Sequence, residues 1–98
     1  MGYIRDREQA KIISAAVKCW ASNEATIRKI SDIADIARAN IHYYYKSKDA
    51  LYDSMIKIVE IKDNPTVDEI IVMIRHCLDS ERLSDAAVWA KRLSDFVE

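Results

Sequence analysis

Between Arg38 and Lys48 the chain reads Arg-Ala-Asn-Ile-His-Tyr-Tyr-Tyr-Lys-Ser-Lys, a run dense in hydrogen-bonding tips. A guanidinium forks onto guanine or a phosphate and a carboxamide pairs bidentately with adenine, so Arg38 and Asn40 are candidate base readers. His42, Tyr43 and Tyr44 can donate to phosphate oxygens. Ala37 and Ala39 are small enough to let a helix backbone approach a duplex closely. Lys48 follows Ser47, a candidate N-cap, and precedes Asp49. An acid in that first turn suits the helix macrodipole, but a lysine opposes it. A cation there is expected where an anion lies nearby, and a DNA phosphate is such an anion.

These residues need a scaffold, and residues 26–51 provide one. Thr26 stands as an N-cap, followed by a helix to about Ala34 whose inner face is Ile27, Ile30, Ile33 and Ala34. Arg28, Lys29 and Asp32 lie on its outer face. Asp35-Ile36 forms a tight turn, with Asp one of the few non-glycine residues that tolerate the left-handed region. A second helix over about 37–44 commits only Ile41 and Tyr45 to the interior. This is the spacing of a helix-turn-helix. Upstream, a helix from about Arg5 to Ala21 repeats Ile13, Ala16, Val17 and Trp20, widened by Ile12 and Ala10. It reads as a packing strut with Trp20 in the core. Its N-terminal arginines are within reach of a phosphate.

Downstream, Leu51, Tyr52, Met55, Ile56 and Val59 define a fourth helix, ended by Asp63-Asn64-Pro65. Thr66 and Glu69 match a capping box, opening a fifth helix that is apolar around most of its circumference. A sixth begins between Ser80 and Ser84, with a seam of Leu83, Ala86, Ala90, Leu93 and Val97 and with Trp89 and Phe96 beside it.

Composition agrees with an all-α fold. One Gly and one Pro in 98 residues leave almost nothing from which to build hairpins. Net charge is −1, but residues 1–62 carry 11 Lys/Arg against 8 Asp/Glu, and residues 63–98 carry 4 against 8. A basic front faces a polyanion and an acidic rear stays off it. Cys19 and Cys77 read as separate buried thiols of a reducing compartment rather than a disulfide. No apolar run approaches the roughly 18 residues of a membrane span, and a cytoplasmic protein is expected. His76-Cys77 is no metal pair, since helix neighbours diverge, and no cofactor is expected. Nothing supports an enzyme: no nucleophile with a base, no carboxylate cluster, no glycine-rich phosphate loop.

Residues 7–52 resemble the TetR family of bacterial transcriptional repressors. Arg7 through Trp20 looks like the family's first helix and residues 26–30 like the start of its second. Residues 41–51 (Ile-His-Tyr-Tyr-Tyr-Lys-Ser-Lys-Asp-Ala-Leu) are similar to its recognition-helix exit and helix-4 entrance. The resemblance implies that Arg28, Arg38, Ala39, Asn40 and His42 face bases. It also implies that Tyr43, Tyr44 and Lys48 face the backbone, in a two-fold dimer on a palindromic operator. The family's turn glycine is Asp35 here, its usual Ser is Ala37 and its usual Tyr is His42. Family members carry several further helices that enclose a ligand, whereas only 36 residues follow Lys62. No small-molecule inducer is therefore expected.

The expectation is a TetR-like three-helix DNA-binding domain with a linking fourth helix and two short C-terminal helices. Residues 1–62 form the DNA-binding module and residues 63–98 a dimerisation element. The function is a DNA-binding repressor acting as a homodimer. The alternative is a truncated interaction protein that pairs with another regulator and inhibits it.

Overall fold

The computed structural model describes residues 7–96 as six helices: α1 (Arg7–Ala21), α2 (Ile27–Ala34), α3 (Arg38–Tyr44), α4 (Lys48–Glu60), α5 (Val67–Asp79) and α6 (Leu83–Phe96). Arg5 and Val97 lie outside the described residues. Every regular element among those described is a helix.

Side-chain caps start three of these helices. Thr26, Ser47 and Thr66 accept from the backbone N–H of Lys29, Ala50 and Glu69, respectively. At Thr66 the expected capping box is complete, with the Glu69 carboxylate accepting the Thr66 N–H at 2.7 Å. Three helices stop by one shared device. Asn23, Asp35 and Glu81 adopt φ of 61°, 57° and 59°, and the next residue's N–H returns to the carbonyl five positions back. Those bonds are Glu24 to Cys19, Ile36 to Ser31 and Arg82 to Cys77, which is the Schellman arrangement, here made without glycine.

One core joins all six helices. Ile12, Ile30, Ile41, Leu51, Met55, Ile70 and Met73 are fully buried, and Ala86 and Trp89 attach α6 to the same cluster. α1 is the hub, packing on α2, α4 and α5, while α6 packs chiefly on α5. Burying each such aliphatic side chain contributes about 1.5–3 kcal/mol, which the 7- and 8-residue helices α3 and α2 need because isolated helices that short do not persist.

Several expectations are corrected. Ala10 is exposed, and α1 instead buries Ala15 and Cys19, because its interior face looks onto three helices rather than one. Trp20 is only half-buried, packed against Tyr52 with the rings 5.2 Å apart at the edge of the core. Ile33 is 41% exposed: α2 is gripped through Ile30 and Ala34, and the i+3 position rotates out. Helix α3 begins at Arg38, with Ala37 as an N-cap that supplies no side-chain bond. α5 is buried on several sides, through Ile70, Val72, Met73 and Cys77, as its apolar circumference led one to expect; Ile71 and Ile74 are half-buried, and Val67 and Leu78 are 39% and 50% exposed. On α6 the expected seam splits. Ala86, Trp89 and Leu93 turn inward, whereas Leu83 and Ala90 are exposed in line with Ala87.

Candidate nucleic-acid interface

The turn between α2 and α3 is fixed from both sides. Asp35 and Ile36 both donate to the Ser31 carbonyl, and the Ser31 hydroxyl donates to the Ile36 carbonyl at 2.6 Å. Ile36 is buried and plugs the space between the helices. α3 is then anchored by Ile41 on one side and Tyr45 at its end, both buried. That arrangement dictates what the rest of α3 presents.

At 3.6 residues per turn, Arg38, Ala39, His42 and Tyr43 share one face of α3, on which Ala39 and Tyr43 lie opposite Ile41 while Arg38 stands only about 60° round from it. All four are exposed, Tyr43 by 81%. Asn40 is also exposed but lies further round the helix, on the flank toward Tyr44. The chain therefore concentrates a guanidinium, an imidazole and a phenol around the small Ala39, the shape a groove-reading helix requires. Arg28 is exposed on α2, two positions after its N-cap.

Two expected backbone contacts have other partners in the chain. Tyr44 is half-buried; its hydroxyl donates to Glu8 Oε1 at 3.2 Å, bridging α3 to the first turn of α1, and its ring meets Tyr43 edge-on at 5.2 Å. Lys48 is exposed at the start of α4, with its ammonium 5.9 Å from the centroid of the Trp20 indole. An indole face attracts a cation, so this lysine against its own helix dipole has a partner within the molecule. Sequence reasoning missed Glu8. Its only signal was an acid in the first turn of α1, which the dipole alone explains.

Where α5 meets α1 and α4, Tyr52 shares a hydrogen bond of 2.9 Å with His76 Nδ1, and Arg75 donates to the Trp20 carbonyl at 2.9 Å. Burial, with the Asp79 and Asp53 carboxylates, pushes the Tyr52 phenol above its ordinary 10.0. Burial also raises the thiols of Cys19 and Cys77 above 9.0, the ordinary value for that group, which keeps both in the unreactive protonated form. Among the described residues no three His, Cys, Asp or Glu side chains gather into a metal-holding group, and no helix is long and apolar enough to cross a membrane.

Residues 12–55, from the middle of α1 to the third turn of α4, match the family described as bacterial regulatory proteins, tetR family. No curated protein and no solved structure matches the chain.

Proposed function

We propose that this chain, whose residues 12–55 match the tetR family of bacterial regulatory proteins, is a repressor that binds a palindromic operator as a homodimer. The observation that carries the reading is the exposed face of α3, which gathers Arg38, Ala39, His42 and Tyr43 while Ile41 is buried. Each protomer lays α3 into a major groove, where Arg38 and His42 meet base edges and Asn40 reads from the flank. Arg28, Tyr43, Tyr44 and Lys48 add contacts around it, and the phosphate contacts make affinity fall with salt.

Two copies meet through residues 63–98. The support is the apolar surface left on the two C-terminal helices, Val67 and Leu78 on α5 and Leu83, Ala87 and Ala90 on α6, at the end of the chain that carries its excess of acid. Apolar faces of this kind are buried against a partner in soluble helical proteins, and a symmetric pair of hairpins covers both at once. The two-fold relation sets two half-sites about one turn of DNA apart or a multiple of it.

Selection of bound duplexes from a random pool tests the reading directly. The expected product is a palindrome bound by a dimer, with affinity falling steeply between low and moderate salt. Recovery of no preferred duplex sinks it. A second reading draws on Asp32 and Asp35, two exposed carboxylates beside the turn at the reading end. They weaken the attraction to DNA and favour a chain that pairs with another regulator and disables it. That reading predicts hetero-association of stable stoichiometry and no operator.

A further inference from the structure

We infer that two copies of this chain pair by exchanging α6, each laying its last helix on the α5 of the other, with Ser80-Glu81-Arg82 as the hinge. The inference rests on the homodimer proposed above and says how its two chains are joined.

Helices α5 and α6 are attached to the molecule in different ways. α5 is built into the common core along its length, through Ile70, Val72, Met73 and Cys77, and packs on α1 and α4 as well as on α6. α6 has one principal neighbour. It packs chiefly on α5, through Ala86, Trp89 and the half-buried Leu93. Its end returns to the start of α5, where Val67, Ile70, Arg92 and Phe96 line one groove. An element seated on a single neighbour can be replaced by its twin from a second copy with each of those contacts restored. That equivalence makes exchange a low-cost route to a dimer. Opening alone bares Trp89 and its seat on α5 to water, and the second copy's α6 covers both again.

The hinge favours opening. Three exposed residues reverse the chain between Asp79 and Leu83, and Glu81 makes the reversal at φ 59°. Among the described residues three hold the left-handed region. Asn23 and Asp35 have the short polar side chain that tolerates it, whereas Glu81 does not. In a right-handed helix Glu81 and Arg82 are good formers, so a chain opened here runs on from α5 without strain. What holds the turn shut is modest. The Arg82 N–H donates to the Cys77 carbonyl at 2.7 Å, a bond that a continued helix replaces with one of its own. The Arg82 guanidinium lies 2.8 Å from Asp85 and 3.9 Å from Glu60, in exposed pairs that water screens. The turn at Asp35 differs, because the buried Ile36 plugs it from within. Short hinges under strain invite exchange, and the hinge at Glu81 is of that kind.

Full-length chains carrying Val67→Cys with Phe96→Cys, treated with a short bis-maleimide, test this. The wild type, whose Cys19 and Cys77 are buried, sets the background. In a hairpin closed on itself the reagent bridges positions 67 and 96 of one chain, and after exchange it bridges those positions between two chains. A sample of dimeric mass by light scattering is expected to run as a covalent dimer under denaturation, with the 67-to-96 link identified by mass spectrometry. A bridge within one chain, in a sample of dimeric mass, overturns the exchange. Glu81→Gly gives an independent readout, since glycine relieves the closed turn and gives the open hinge nothing. With two hinges in each dimer, it is expected to weaken dimerisation about tenfold while circular dichroism shows the helices retained. An unchanged dissociation constant overturns the exchange, even where the double variant neither folds nor reacts. A monomeric wild type at every concentration overturns the homodimer itself, and shows before any variant is made.

Discussion

On the proposed reading, individual side chains on and around α3 divide into those that discriminate and those that hold. Arg38→Ala is expected to cost about 1–3 kcal/mol at one operator position and little at others, measured by competition between matched and single-substituted duplexes. Lys48 separates two roles cleanly. As a phosphate clamp, Lys48→Gln lowers the slope of log affinity against log salt by about one and weakens all sequences alike. As a partner of Trp20 only, it leaves that slope unchanged and lowers stability by about 0.5–1 kcal/mol. The left-handed residues give a stability series. Asn and Asp visit that region at small cost and Glu does so less readily, so in denaturant unfolding Glu81→Gly should raise stability more than Asn23→Gly or Asp35→Gly, by about 0.5–1 kcal/mol. The strain at Asp35 was legible, because a turn that tight needs a left-handed residue. Glu81 was not, since nothing local announces a glutamate in that conformation. The Glu8–Tyr44 bond was also hidden, being a contact across 36 positions of sequence.

Among whole helices, the starts were legible and the faces only partly so. Thr26, Ser47 and Thr66 announced themselves by residue type and offset, and Thr66→Ala should cost about 1 kcal/mol in denaturant unfolding by removing half of the capping box. The last helix shows why faces are harder. Two apolar stripes lie about 100° apart on α6, and spacing alone cannot say which turns inward. The larger Trp89 decides it, drawing Ala86 and Leu93 in and turning Leu83 and Ala90 out. Buried titratable groups on α1, α4 and α5 add a pH dependence with a definite sign. The Cys19 and Cys77 thiols and the Tyr52 phenol all titrate above their ordinary 9.0 and 10.0. As pH rises past those values the unfolded chain loses protons before the folded one, so stability falls. Chemical unfolding is therefore expected to show a midpoint that declines from about pH 9 upward, less steeply in Cys77→Ala.

For the molecule as a unit, the apolar surface left on α5 and α6 puts dimerisation to a direct test. Leu78 is already half-exposed, so Leu78→Arg leaves the protomer's own core intact while placing a charge in the shared face. Light scattering should then give the monomer mass with helicity retained, and operator affinity should fall sharply because only one half-site is engaged at a time. The all-helical class and the helix-turn-helix followed from periodicity and caps. The contacts that join Trp20 and Tyr52 to Arg75 and His76 did not, being between residues too far apart in sequence for any local pattern to connect.

Helix α6 has a thermodynamic consequence of its own. It rests chiefly on α5, burying only Ala86 and Trp89, and its 14 residues are too few to persist alone. In the proposed dimer its outer face gains cover from the second copy, and in a protomer without that copy it opens more readily than α1, which the core surrounds. Backbone amides from Leu83 to Phe96 should exchange with solvent deuterium quickly in dilute protein and slow as concentration rises, while those of α1 hold a constant rate. The last helix thus registers how much of the protein is paired, by how long its hydrogens stay.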